Sequence, residues 1–373
     1  MTYPESAEHT TRPEEWLALR PRDTVFVRDG RSFDAGADVA ADTVHPWPST
    51  LAGAVRAAYG REPAEVRGPV LARLGKTGWR PHFPVPADVV RRPGGKWAYL
   101  LRPDPELAPV VTDLGGASGE LLAPPRVMRV EPVPGWMPVR QLAAYLGGDL
   151  PAGGFDLQLL KLLGAGDEPF APEPRVGLAR TRGRTAREGF LYQSTHLRPR
   201  DGWAFLVGCV QPAGWNATAA GPVPLGGRGR LVDVAPATGM GWPEAPERFP
   251  DGRVLVYVAT PALWPGGWRP ELPQGVALCG AAVRPAQPVA SASPYLARRD
   301  GKRLIETVTL RWAVPAGSVY LLRFTGRDAA LRWALEHHGR ALGPAMGATD
   351  TEDRLRTAGF GVVLTGTWKE PEW

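Results

Sequence analysis

Apolar residues in this chain come in runs of strand length, closed by glycine or proline. "GWAFLVGCV" from residue 202, "RVLVYVAT" from residue 253 and "AVPAGSVYLLRF" from residue 313 are examples, set among 45 glycines and 41 prolines. Runs this short, bounded by residues that break regular structure, read as strands joined by turns. Helical spacing is confined to a few stretches. "PSTLAGAVRAAYG" puts Leu51, Ala54, Val55 and Ala58 on one face, with Ser49 or Thr50 placed to cap and Gly60 to end it. "MPVRQLAAYLGG" reads as a second helix. "RDAALRWALEHHG" reads as a third, with Ala330, Leu331, Ala334, Leu335 and His338 on one side. His337 and His338 at its end suit a cation near the helix C-terminus.

Strands clustered with a few helices, instead of strictly alternating with them, argue for an α+β architecture with antiparallel sheets. Two ferredoxin-like units would fit, and 373 residues is more than one core usually holds. The expected division is 1–200 and 201–373. The first part would carry a Pro- and Gly-rich insertion at about 61–135, with strand candidates in "KWAYLLRP" and "RVMRVEPV". A strand at Thr24–Arg28 should turn at Asp29-Gly30, and "RVGLARTRGRTAREGFLYQSTHLR" should form two strands, Arg175–Ala179 and Gly189–Leu197, around a basic tip.

The net charge is +6, a moderate excess that suits an acidic partner. Lys76, Lys96, Lys161, Lys302 and Lys369 are the only lysines; the other basic residues are arginines. Guanidinium groups fork onto phosphates and stack on bases. GC-rich coding also raises arginine, alanine, glycine and proline together, so position carries more information than abundance. Two cysteines, Cys209 and Cys279, make neither a disulfide framework nor a zinc quartet. The acidic, polar start of the chain is unlike a signal peptide, and a cytoplasmic protein with no membrane partner is expected.

Three stretches concentrate arginine in turns. "LGGRGRLVDV" places Gly226, Gly227, Arg228, Gly229 and Arg230 before a strand. Its glycines would let successive N–H groups face one anion, with the arginines adding charge; a mobile hairpin is the alternative. "ARTRGRTAR" carries Arg180, Arg182, Arg184 and Arg187, and in strand spacing the first three would form a stripe able to follow a phosphate backbone; a solvated tip is the alternative. "FVRDGRSF" holds Arg28, Asp29 and Arg31 on a tight turn. Tryptophans in the loops "GWRPHF", "WPGGW" and "GTW" could stack on unpaired bases.

Catalytic patterns are missing. The glycine-rich loop lacks the Gly-Lys-Ser/Thr ending of a nucleotide-binding loop, and there is no HExxH or GxSxG. No metal or other cofactor is expected. His45 and His196 remain as candidate acid and base.

In order, "DTVFVRDGRSFDAG", "HPWPSTLAGAVRAA", "RVGLARTRGRTAREGFLY", "PLGGRGRLV", "AVPAGSVYLL" and "AGFGVVLTGTW" resemble the third Cmr subunit of type III-B CRISPR effector complexes, a RAMP-superfamily protein. The six segments extend from Asp23 to Trp368. The resemblance implies two ferredoxin-like RAMP domains and a non-catalytic subunit that grips the 5′ repeat-derived tag of the crRNA. It implies contact with the large polymerase-like CRISPR subunit and the backbone RAMP subunit that cuts target RNA, and so an indirect relation to target RNA. It places RNA against Gly226–Arg230, with Arg28, Asp29, Arg31, Ser49, Thr50 and Arg56 flanking the tag. The competing reading is a RAMP endoribonuclease that processes crRNA through His45 or His196.

Overall fold

The structure, a computed structural model, describes residues 14–27, 43–104, 121–126, 128–151, 153–164, 167–211, 221–290, 298–299, 302–303, 310–343 and 350–370. In chain order, the first part contains β1 (Glu14–Pro21), α1 (Pro48–Tyr59), β2 (Glu65–Gly75), β3 (Gly78–Pro84), β4 (Trp136–Pro138) and α2 (Val139–Leu146). The paired strands β5 (Phe170–Arg180) and β6 (Ala186–Pro199) follow, then β7 (Trp203–Val210), β8 (Val223–Pro224) and β9 (Leu231–Pro236). The second part contains β10 (Arg253–Val258), β11 (Ala277–Ala282), β12 (Val319–Arg323), α3 (Arg327–His337), β13 (Arg340–Ala341), α4 (Asp350–Thr357) and β14 (Val362–Gly366).

A seven-stranded sheet runs in the order β8-β9-β1-β7-β2-β3-β4, and a five-stranded sheet in the order β11-β12-β10-β14-β13. The pairings within both are antiparallel. The mixed, mainly antiparallel architecture is therefore as expected. The division at 200/201 falls inside the first sheet, because β7 lies between β1 and β2 and the sheet continues to Pro236. The stretch 61–135 is likewise not all insertion: β2 and β3 belong to the main sheet. A separate four-stranded sheet is formed by Phe155–Asp156, Trp97–Leu100, Val89–Arg91 and Glu131–Pro132.

Side-chain alternation explains how the layers stack. In β1, Trp16 and Ala18 enter one cluster and Leu17 and Leu19 another. The first cluster lies between the sheets, joining Val70, Phe83 and Leu206 to Leu255, Tyr257, Leu321 and Leu364. The second covers the outer face of the first sheet with Leu51, Ala54, Val55 and Ala58 of α1. The third covers the outer face of the second sheet with Ala330 and Ala334 of α3. A strand packed on both faces loses alternation and reads as a continuous apolar run. That is why β10 is evident in the sequence; β1 opens on Glu14 and Glu15, which obscure its buried run Trp16–Leu19.

The helices differ from expectation in detail. Pro48 occupies the first turn of α1 and Trp47 is the N-cap, with no side-chain cap, so Ser49 and Thr50 lie inside the helix. Proline at that position gives up an N–H that would have no helical partner anyway. In α3 the buried face is Ala330, Trp333 and Ala334, while Leu335 is 55% exposed. His338 is not a cation serving a helix end. Its Nδ1 accepts from the Thr365 backbone N–H at 3.0 Å and its Nε2 lies 2.6 Å from the Pro243 carbonyl. Burial pushes its pKa below the ordinary range, which favours the neutral ring with Nε2–H donating to Pro243.

Candidate nucleic-acid interface

The segment Asp23–Val27 is the floor on which the arginine-bearing turns meet. It was expected as a strand, but it forms only local bridges. Val25 exchanges backbone hydrogen bonds with Leu197 of β6 at 2.7 and 3.0 Å, and Phe26 accepts from the Gly227 N–H at 2.8 Å. Thus β6 lies on one side of the segment and the glycine-rich loop on the other.

Leu225, 1% exposed, anchors the loop. Its N–H donates to the Arg230 carbonyl at 2.8 Å, closing the turn. Gly226, Gly227, Arg228 and Gly229 are exposed. Gly226 has φ 73°, and a Cβ there would lie 2.5 Å from the Phe26 carbonyl oxygen. A Cβ on Gly227 would lie 3.1 Å from the Phe26 ring. These glycines are thus required by the close seat on Phe26. The Gly227 N–H points inward to that seat, so the expected row of outward amides is interrupted.

The two loop arginines do different things. Arg228 takes φ 56°, a conformation that costs a side-chain-bearing residue about 1 kcal/mol or more, and places its guanidinium 5.2 Å over the Phe26 ring. Phe26 in turn stacks on His196 with ring centroids 4.7 Å apart. Arg230 is drawn back to form an ion pair with Asp23, its side chain 21% exposed.

Asp23 is shared. Arg175 of β5 reaches its Oδ2 at 3.2 Å and Arg198 of β6 its Oδ1 at 3.0 Å. Arg175 also donates to Glu173 at 2.8 Å, and Arg198 pairs with Glu173 as well. Burial works to raise the Asp23 carboxyl, but the Thr24 backbone N–H and the two guanidiniums outweigh it and hold the pKa low. Hydrogen bonds from Arg198 and Arg175 hold Glu173 low too. Three guanidiniums around two carboxylates leave a positive balance beside Arg228. Neither Arg175 nor Arg198 stood out in the sequence; they are single residues in long strands, and only the β5–β6 pairing, which sets Arg175 opposite Ser194 and Glu173 opposite His196, brings them to Asp23.

The remaining sequence candidates are dispersed. Arg180 closes β5, while Arg182 and Arg184 lie beyond it in the exposed turn, where Thr181 and Thr185 hydrogen-bond across. Arg184 has φ 61°. Strand alternation therefore ends at Arg180, and the three make a cluster at the tip instead of a stripe. That tip lies roughly 17 Å along the strand from Arg175, at about 3.3 Å per residue. Arg187 is in β6, its side chain outside the described residues. Arg28, Asp29 and Arg31 also lie outside the described residues. Ser49 and Thr50 are half-buried in the first turn of α1, which packs beside β8 and so adjoins the strand leading into the loop. Arg56 is half-buried in the last turn of α1.

His196 is 1% exposed and hydrogen-bonded through Nδ1 to the Thr24 hydroxyl at 2.9 Å. Burial, aided by Arg175, Arg230 and Arg228, pushes its pKa down. Such a ring is placed to hold Phe26 and is poorly placed to reach a scissile bond. His45 is exposed, against the rings of Trp136 and Phe170 at 5.6 and 5.2 Å. Among the described residues no cluster of His, Cys, Asp and Glu could hold a metal ion, and no helix is long and apolar enough to cross a membrane. Of the loop tryptophans, Trp264 and Trp368 are core residues; Trp79 is half-buried with Arg20 over its ring at 4.9 Å.

No curated protein matches the chain by sequence. Among solved structures, it is similar to a chain of "Cryo-EM structure of the Type III-B Cmr-beta bound to cognate target RNA and AMPPnP, state 1". The identity is 12% over 93% of this chain and 95% of that one, with a TM-score of 0.50. A second chain, from "Cryo-EM structure of the Type III-B Cmr-beta bound to cognate target RNA", is 11% identical over 94% and 96%, with a TM-score of 0.49. The family profile described as CRISPR-associated protein (Cas_Cmr3) matches residues 17–368. That match takes in both sheets and the seat of the glycine-rich loop, and the chain belongs to the Cas_Cmr3 family of CRISPR-associated proteins.

Proposed function

We propose that this chain is a non-catalytic RNA-binding subunit of a cytoplasmic type III-B Cmr effector complex. In this reading it holds the 5′ tag of the crRNA and joins the large polymerase-like subunit to the RAMP backbone, so that target RNA is met only indirectly. The observation that carries the proposal is the seat of Gly226–Arg230 on Phe26, beside three guanidiniums gathered at Asp23. A fixed, cation-rich turn of this kind suits a phosphate backbone. Arg180, Arg182, Arg184 and Arg187 would extend the surface along the hairpin, and Ser49, Thr50 and Arg56 would border it. Arg28, Asp29 and Arg31 are assigned to it through their place in the family pattern.

The chain is proposed to comprise two RAMP-type units, the first ending after Pro236 instead of at residue 200. The second sheet supports this: β11-β12-β10-β14 is the ferredoxin-like strand order, with α3 as one crossover helix and irregular chain in the other crossover. The endoribonuclease reading is weaker because His196 is enclosed under Phe26.

The test is a salt titration of guide-RNA binding by the assembled complex. Arg228→Ala with Arg230→Ala should weaken binding and flatten the log–log slope by about 0.7 for each phosphate that the loop no longer neutralises. An unchanged affinity and slope would remove the loop from the RNA surface.

A further inference from the structure

The ends of β1, β2, β3, β6 and β7 meet around an open cleft of about 290 Å³, close to the lower end of small-ligand sites at about 300 Å³. The cleft adjoins the arginine cluster, since Asp23 and Arg198 line both. Its apolar wall includes Leu74 and Trp79, which pair across β2 and β3. The Leu74 N–H also donates to the Gly202 carbonyl at 2.8 Å, so the wall is part of the main sheet. Four arginines line the cleft against two carboxylates, Asp23 and Asp201. These arginines are not equivalent. Arg22 is paired with Asp233, its Nε at 3.0 and 2.9 Å from the two carboxylate oxygens. Arg198 is shared between Asp23 and Glu173. Arg20 and Arg200 are exposed, and neither has a carboxylate within ion-pair distance among the described residues. Arg20 is held at the wall by Trp79, with 4.9 Å from its guanidinium carbon to the ring centroid. Arg200 is fixed through its backbone: its N–H donates to the Pro169 carbonyl at 3.0 Å, and its carbonyl accepts from the Trp203 N–H at 3.1 Å.

Two cations without counter-ions, beside an apolar wall in a hollow of this size, match a phosphate joined to a partly apolar group. We propose that the cleft is a nucleotide site in which Arg20 and Arg200 take one phosphate and the wall of Leu74 and Trp79 receives the attached nucleoside. Guanidinium–phosphate hydrogen bonds are roughly twice as strong as neutral ones, so two arginines suffice to fix the phosphate while the wall sets where the nucleoside lies. A nucleotide within single-stranded RNA and a free nucleotide share this chemistry. The RNA source rests on the RNA-binding reading above, and would give the chain a second contact point, separate from Gly226–Arg230.

The experiment uses the full chain at low ionic strength with two probes: single-stranded RNA oligonucleotides carrying 5-iodouridine at successive positions, and 5-iodouridine monophosphate alone. Ultraviolet light joins the iodinated base to a neighbouring aromatic side chain, which peptide mass spectrometry identifies. Wild type should form an adduct at Trp79 with one position of the RNA. Arg20→Ala with Arg200→Ala should lose the adduct, weaken RNA binding about tenfold and flatten the log–log salt slope by about 0.7, the share of one phosphate. Arg200→Ala alone keeps the contact of Arg20 with Trp79 and the backbone bonds of the turn; it should lower the adduct yield in a protein that melts like the parent. An adduct at Trp79 with the monophosphate and none with RNA would support the site and assign it to free nucleotides. No adduct at Trp79 with either probe, and RNA affinity equal to wild type in both variants, would overturn the site while leaving RNA binding intact. Failure of the wild-type chain to bind RNA at any concentration tested would overturn the RNA-binding reading, and the monophosphate adduct would then decide the site by itself.

Discussion

Phe26 lies on His196 with ring centroids 4.7 Å apart and an interplanar angle of 28°. The imidazole is thus a structural support for the glycine-rich loop. His196→Ala should lower stability by about 1–3 kcal/mol through poorer packing and an unpaired Thr24 hydroxyl, read by urea unfolding. A variant as stable as the parent, in a protein whose repeat-RNA cleavage it abolishes, would restore His196 as an acid or base.

The seat on Phe26 separates two glycines that look equivalent in the sequence. Gly226 and Gly229 both have positive φ, but only Gly226 places a Cβ against a backbone oxygen. Gly226→Ala should therefore displace the loop and reduce RNA affinity strongly. Gly229→Ala should incur only the left-handed penalty, about 1 kcal/mol. Equal losses in parallel binding assays would show that the close approach does not hold the loop.

A buried ion pair away from the loop should govern stability. Arg102 Nη1 lies 2.6 Å from Asp88 Oδ2, and Tyr145 donates to Asp88 Oδ1 at 2.7 Å, with Asp88 fully buried. Asp88→Ala strands the Arg102 charge and should cost about 3–5 kcal/mol. A drop in melting temperature of only a degree or two would mean that the site relaxes or hydrates.

Histidines with lowered pKa make stability depend on pH. Burial pushes His82, His196 and His338 below the ordinary range. In the unfolded chain they take up protons near pH 6.5, before the folded protein does. Their contribution is complete above about pH 6.5 and is lost as pH falls toward their folded values. Urea midpoints measured from pH 7.5 to 5 should fall, and His338→Gln should flatten that fall. An identical pH dependence in the variant would exclude His338.

The arginine-rich turns, the apolar strands β7, β10 and β12, and the face of α1 could be read from local pattern, because glycine, periodicity and charge act over a few residues. The sequence also sufficed to indicate the family, through six short segments in a fixed order. Tertiary structure decided the rest. It put β7 inside the first sheet across the expected boundary and stacked the two sheets on one core. It set Asp23, Arg175 and Arg198 around Arg230, which are up to 207 residues apart. The physical reason is that strand pairing and ion pairing join residues remote in the chain, and a single sequence records the preference of each residue but not which partner it meets.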